Sequence, residues 1–244
     1  FYAISLVLGR PFVSLTEDCV KQYIQPLLKG DIKMMRLFTA GPSPFGRKVV
    51  LALYVTGLQD QVDIIATNTA EPDSENRRLN PLGKIPTLVT EEGPLFDSRV
   101  ILEAIDRFAG GGRLMPASGP KRTTVQTRIA LIDGIMDAAI LIVYEGRMRP
   151  EGMQVQSVLD YQRGKIERSL AYLEDLALQY DKGKNPDAAD IGLACMLDYL
   201  DFRQVFDWQV AAPSLVSWMT DFATSVSGYK ETLPEGIAAA PWRR

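Results

Sequence analysis

The stretch NPLGKIPTLVTEEGPLFDS, residues 80–98, decides how the rest of the chain is read. Pro86 stands between Ile85 and the β-type run Thr87, Leu88, Val89, and a proline cannot donate to a ladder, so it marks a strand start or an edge. A cis Ile85-Pro86 bond, which proline admits at about 0.5–1 kcal/mol, is expected to turn the chain sharply there. The amide and carbonyl of Ile85 then face outward, free to pair with an extended peptide. Asp97 and Ser98 directly precede Ile101, Leu102, Ile105 and Phe108, which recur at helical spacing. Their side chains and amides therefore lie at a helix N-terminus, where carboxylates and phosphates bind. The combination suits a small anionic peptide.

Working outward, residues 35–39 read as a strand, followed by the turn Gly41, Pro42, Ser43, Pro44 and a helix over residues 45–56 that Gly57 stops. Residues 62–65 read as the next strand, completing a βαβ unit. A loose polar segment, residues 67–78, carries at most one turn of helix before Asn80; strands at 87–89 and 94–96 and a helix over 97–108 close an α/β unit. The run Gly110, Gly111, Gly112 and the segment from Pro116 to Pro120 break the composition, which sets a boundary: a first domain over 35–112, a linker over 113–120 and a second domain over 121–244 ending in a tail. The second domain reads as all helical, with helices over 122–147, 154–180, 187–203 and 213–226. Leu215, Trp218, Met219, Phe222 and Val226 keep the spacing of a helix buried on one face. The helix over 190–203 is apolar nearly all round, with Gly192, Ala194 and Cys195 small enough for close approach, and is expected at the centre of the core. Asp187 and Asp190 have the spacing of an N-cap and its N3 partner. Residues 1–34 fit none of this. They read as an extension of unknown origin, an expression or start-site artefact rather than a functional arm, with a short helix over 16–28 and Met34 or Met35 as the natural start.

A chain of 244 residues holds one large domain or two ordinary ones. Its 46% hydrophobic and 23% charged content is that of a soluble globular protein. A net charge of −3 argues against nucleic acid as a partner, and the lack of any 18-residue apolar run argues against a membrane span. Cys19 and Cys195 fit neither a metal nor a redox spacing, so a reducing cytoplasm is the simplest setting. Histidine is absent altogether, which removes Ser-His-Asp and Cys-His catalysis and most zinc sites. Chemistry is left to hydroxyls, carboxylates, amines and backbone. Arg47 and Lys48 open the first helix, where positive charge opposes the macrodipole, and an anion nearby would explain them.

Four pieces in register resemble a bacterial soluble glutathione S-transferase: SPFGRKVVLAL at 43–53, NPLGKIPTLV at 80–89, LFDS at 95–98 and DIGLACMLDYLDFR at 190–203. The resemblance implies a thioredoxin-like glutathione-binding domain followed by an all-helical domain, with glutathione as co-substrate, no metal, a detoxifying role, and a homodimer. It implies that Ser43, the first residue of an S-P-F motif, meets the glutathione sulfur. Without a general base the hydroxyl acts as hydrogen-bond donor to a thiolate, not as a nucleophile. Thr39 is the second hydroxyl in range, and a turn or cap is the plainer role of Ser43. A cysteine at position 43 would have implied thiol exchange, and Cys195, in an apolar helix, reads as a core residue instead. Ser98 is implied to take the γ-glutamyl carboxylate with Asp97 beside it, and Ile85 and Pro86 to present backbone to the cysteinyl part. Lys84 either reaches a carboxylate or is a solvated loop charge. Met136, Ile140 and Tyr144 share one face of the long helix and either line the pocket for a small apolar electrophile or form a core stripe. The implied activity is conjugation. The alternatives are a non-catalytic ligand- or protein-binding member of the fold, or a glutathione-dependent isomerase, dehalogenase or peroxidase.

Overall fold

A computed structural model describes residues 34–236 apart from Glu151; Cys19 and the helix expected over 16–28 lie outside the described residues. The strand at β1 (Met35–Thr39) sits inside a four-stranded sheet of order β2-β1-β3-β4, with β2 at Val62–Ala66, β3 at Thr87–Thr90 and β4 at Gly93–Leu95. β1 runs parallel to β2 and antiparallel to β3, and β3 runs antiparallel to β4. Leu37 of β1 faces Leu88 of β3, which faces Leu95 of β4, so one apolar row crosses three strands. Leu37 and Leu88 are fully buried.

The connecting helices start and stop where local chemistry dictates. In α1 (Pro44–Thr56) Ser43 is the N-cap and Pro44 the first residue, and Gly57 at φ 76° closes the helix by donating to the carbonyls of Leu53 and Tyr54. Within the segment read as loose, α2 (Glu75–Leu79) makes a short helix. In α3 (Ser98–Phe108) Asp97 is the N-cap, and Ile101, Leu102 and Ile105 are buried to 1% exposure or less. The glycine run that follows is ordered by one side chain: the buried Asp106 carboxylate accepts the amides of Gly112, Arg113 and Leu114 at 2.9, 2.8 and 2.6 Å. Gly110, Gly111 and Gly112 all hold φ between 78° and 95°, which residues with a Cβ rarely adopt.

From Gly119 the chain is helical: α4 (Gly119–Met148), α5 (Gln156–Asp175), α6 (Ala188–Arg203), α7 (Trp208–Ala211) and α8 (Ser214–Ser225). The reading of one helix over 154–180 is corrected, because α5 ends at Asp175 and Ala177 takes a left-handed φ of 45°. The short α7, not expected from periodicity, carries the fully buried Trp208. Asp187 and Asp190 form the reciprocal capping box of α6 that their spacing predicts, with Asp187 accepting from the amides of Ala189 and Asp190 and Asp190 accepting from the amide of Asp187. α6 packs against both α4 and α1, its buried positions running all round the helix from Ala188 to Leu200. Each fully buried leucine there, such as Leu197 or Leu200, stabilises the fold by about 1.5–3 kcal/mol. The described residues from Met35 onward form one compact unit by contact, and one apolar core links the sheet, α1 and the helices.

Candidate glutathione site

The turn before β3 is held by buried amides. Asn76 and Asn80 donate their side-chain amides to the carbonyl of Lys84 at 3.1 and 3.0 Å, and the Thr87 hydroxyl donates to the same oxygen at 3.3 Å. Asn80 also accepts the amide of Leu82 on its Oδ1. Three donors on one carbonyl fix the chain just ahead of Ile85, and the Ile85-Pro86 peptide is cis, as expected. The β1–β3 register ends at Phe38 and Thr87, so Ile85 lies past the last ladder pair. Its backbone borders a cleft of about 250 Å³ whose lining includes Lys84, Ile85, Pro86, Asp97 and Ser98. Five sequence-predicted residues therefore meet in one place.

The α3 end of this cleft is more charged than the sequence suggests. Asp97 caps α3 by accepting the Arg99 amide at 2.9 Å, and the Arg99 guanidinium folds back onto it at 3.4 Å. The same Arg99 lies 3.6 Å from Asp133 of α4, which also lines the cleft and receives an ion pair from Lys48. Burial pushes the Asp97 carboxyl up, but hydrogen bonds and charge from Arg99, with help from Lys48, hold it below the ordinary range. For Asp133 burial wins and the carboxyl is raised in spite of Lys48. Asp97 is thus the firmly ionised member of the pair. Ser98 is 3% exposed, with its hydroxyl 3.3 Å from Asp97.

Ser43 lies apart from these residues. Its Oγ accepts the Gly46 amide at 3.1 Å, which uses a lone pair and leaves the hydroxyl proton able to donate. It borders a crevice of about 10 Å³ with Cys195, Asp198, Tyr199, Phe202 and Pro234, while Phe45, two residues on, lines the larger cleft. Thr39 is 5% exposed, its hydroxyl has no hydrogen-bond partner among the described residues, and it lies under α1: a Cβ at Gly46 would stand 1.8 Å from it. Of the two hydroxyls, Ser43 is the more accessible. Met136 is fully buried in the core, Ile140 is half-buried, and Tyr144 is exposed, so only Tyr144 of the three reaches solvent freely. Burial pushes the Cys195 thiol up to about 11, leaving it protonated near neutrality.

Arg47 and Lys48 have their anions inside the protein. Arg47, 5% exposed, pairs with Asp198 of α6 at 2.6 Å and donates to the carbonyls of Thr232 and Tyr229 at 3.0 and 3.4 Å. The Tyr229 hydroxyl also donates to Asp198, at 2.9 Å. Burial opposes the charge on Arg47, yet its pKa is raised overall and it stays ionised, with the Asp198 carboxylate as the charge that faces it. The chain after α8 is thereby pinned to α1 beside Ser43. Gly228 permits this closeness, since a Cβ there would meet the Tyr54 side chain at 2.3 Å. Sequence reasoning missed Asp133 and Asp198; each lies among buried apolar neighbours of its helix, at 6% and 1% exposure, where a carboxylate needs a partner.

A wider groove of about 650 Å³ flanks α3 near Val100, Arg107 and the glycine run and holds none of the predicted site residues. Among the described residues no group of three or more acidic or cysteine side chains is placed to hold a metal, and no helix is long and apolar enough to cross a membrane.

Comparison with known proteins finds relatives along most of the chain. Residues 42–107 match the glutathione S-transferase N-terminal domain and residues 102–221 the C-terminal domain. The uncharacterized GST-like protein YibF of Escherichia coli K12 is 38% identical over 188 residues, 75% of this chain and 90% of that protein. A glutathione transferase family member from Pseudomonas fluorescens Pf-5, solved with bound glutathione, is 38% identical over 82% of this chain and 98% of its own, with a TM-score of 0.74. A glutathione S-transferase from Methylobacillus flagellatus KT, also with glutathione bound, is 35% identical over 82% and 99%, with a TM-score of 0.74. With two domain matches that overlap and together span most of the described residues, and relatives above 30% identity covered almost end to end, the chain belongs to the glutathione S-transferase family.

Proposed function

We propose that the chain conjugates the thiolate of glutathione to a small electrophile. The observation that carries this reading is the 250 Å³ cleft in which Ile85 and Pro86 meet the N-terminus of α3 at Asp97 and Ser98. A tripeptide with a carboxylate and an ammonium at one end and a thiol near its middle matches that lining. Ser98 and the first amides of α3 suit the γ-glutamyl carboxylate, and the ionised Asp97 suits the ammonium. The open backbone at Ile85 suits the cysteinyl segment. From there the sulfur extends past Phe45 toward the N-terminus of α1, where the Ser43 hydroxyl donates and the macrodipole favours negative charge. Each unit by which the thiol pKa falls needs about 1.36 kcal/mol of preference for the thiolate. Lys84 serves as a further contact for a glutathione carboxylate, and glutathione is a consumed co-substrate. Two domains, residues 35–112 and 121–244 joined by a linker over 113–120, a homodimer and a cytoplasmic setting complete the reading. Sedimentation at micromolar concentration should give a species of twice the 27.1 kDa chain mass.

A second reading, a binding protein without catalysis, draws on one feature: the Ser43 oxygen already serves as a helix cap and lies outside the larger cleft. Ser43→Ala and Ser98→Ala separate the two. For a transferase, Ser43→Ala raises the pH at which conjugation of a general aryl halide switches on and lowers the neutral rate by about ten- to hundredfold, from a lost hydrogen bond of about 1.5–3 kcal/mol to a charged group. Glutathione affinity then changes little. Ser98→Ala mainly weakens glutathione binding. An unchanged pH profile in Ser43→Ala with a shifted one in Thr39→Ala would move the role to Thr39. Binding of glutathione with no turnover of any electrophile would favour the second reading.

A further inference from the structure

Next to the α6 residues that border the Ser43 crevice stands a cation, Arg203, with no part in the proposed conjugation. Tyr199 and Phe202 border the crevice with Ser43, and the guanidinium of Arg203 sits 5.5 Å from the Tyr199 ring centroid and 4.3 Å from that of Phe202. A guanidinium lying over a ring keeps N–H groups, beyond any bound to Tyr199, that can donate to a carboxylate. The Arg203 Nε is buried without a hydrogen-bond partner among the described residues. Among the acids of α4 and α6, Asp198 pairs with Arg47 and Glu145 with Arg149. No described carboxylate lies within ion-pair distance of Arg203. Tyr199 is raised by burial and drawn back down by a hydrogen bond and charge from Arg203 and by the charge of Arg147 of α4, so one edge of the guanidinium is engaged with the Tyr199 hydroxyl and a second cation acts on the same place. The crevice itself is too small for a ligand, so an electrophile reaching a sulfur at Ser43 rests on the rim formed by these aromatic rings.

We propose that Arg203, lying over the Phe202 and Tyr199 rings that border the Ser43 crevice, makes the electrophile site selective for substrates that carry a carboxylate. This rests on the transferase reading and names its substrate class: a planar or small apolar body to lie against the two rings, with an anionic end for the guanidinium fork. For an aryl halide the chemistry balances without a co-reactant. The glutathione thiol loses its proton to solvent, the sulfur forms a bond to the ring carbon, the carbon–chlorine bond breaks and chloride leaves.

The test compares 4-chloro-3-nitrobenzoate with 4-chloro-3-nitrobenzamide, each rate divided by its uncatalysed rate with glutathione, together with calorimetric binding of the two thioether products. The full chain should favour the benzoate by roughly tenfold in normalised kcat/KM, a single charged hydrogen-bonding contact's worth. The benzoate product should bind more tightly to a similar extent. Arg203→Gln should erase both preferences while leaving the benzamide rate near its original value, and Arg203→Lys should restore part of them. Turnover of both compounds with no benzoate preference overturns the selectivity and leaves the transferase reading standing. A product-binding preference without turnover of either compound overturns the transferase reading and leaves the anion site. Equal product binding in the unaltered protein overturns the proposal without reference to any variant.

Discussion

Replacing Asp198 by Asn should be among the most damaging single changes in the protein. Asp198 and Arg47 are 1% and 4% exposed at their side chains, 2.6 Å apart. The substitution leaves a guanidinium that cannot lose its charge in a site closed to water. Breaking a buried pair in this way costs about 3–5 kcal/mol. Arg47 keeps its bonds to the carbonyls of Thr232 and Tyr229, which places the expected loss near the lower end, about 3 kcal/mol. For a chain of this size that corresponds to roughly 6–12 °C in thermal midpoint. The control is Glu75→Gln, which breaks the Arg36–Glu75 pair, 40% and 48% exposed, and should cost no more than about 1 kcal/mol. Urea unfolding of both variants and of the Arg47→Leu/Asp198→Leu double variant measures the set. The double variant should recover much of the loss, because an apolar pair carries no stranded charge. A loss in Asp198→Asn no larger than in Glu75→Gln would refute the reasoning.

Three further outcomes follow from the same contacts. Gly46→Ala should destabilise by about 1–3 kcal/mol, since the new methyl meets the Thr39 hydroxyl at 1.8 Å, and Thr39→Ala in the same chain should return part of it in chemical unfolding. Burial beside Asp187 pushes Asp190 up to about 6, so its folded-state proton is held more tightly than the unfolded one. Its contribution is greatest below the ordinary carboxylate range and fades as pH rises through 6, so from about pH 7 to about pH 5 the unaltered protein should gain thermal midpoint over Asp190→Asn, and parallel curves would count against this. Gly228→Ala should loosen the chain after α8, because φ is +82° and the new Cβ meets Tyr54, and hydrogen exchange at residues 226–233 should rise before global stability falls far.

Much of the fold is legible in the sequence because its signals are local. Gly57 ends α1, Asp97 begins α3, and the Asp187–Asp190 spacing alone predicts the capping box of α6. The meeting of Ile85 with Asp97 and Ser98 is legible for a related reason: the strands between them are short, so a hairpin returns the chain to the same edge. The partners of Arg47 and Lys48 are not legible this way. They lie 151 and 85 residues away, on helices whose relative placement is settled by packing and not by any local pattern. Both cations sit in the first turn of a helix, where a nearby anion was expected; that the anions are Asp133 and Asp198, 6% and 1% exposed, follows from how the helices pack. The end of α5 was overrun because residues 176–180 continue an apolar pattern that the left-handed Ala177 interrupts.

The central claim is that the cleft and the N-terminus of α1 together bind glutathione as its thiolate. The most direct measurement is an ultraviolet pH titration of glutathione thiolate bound to the unaltered protein, with free glutathione alongside. The bound thiol should ionise about one to two units below the ordinary thiol value near 8.5. Bound thiol that titrates together with free glutathione, or no thiolate signal at glutathione concentrations that raise the protein's thermal midpoint, would contradict it.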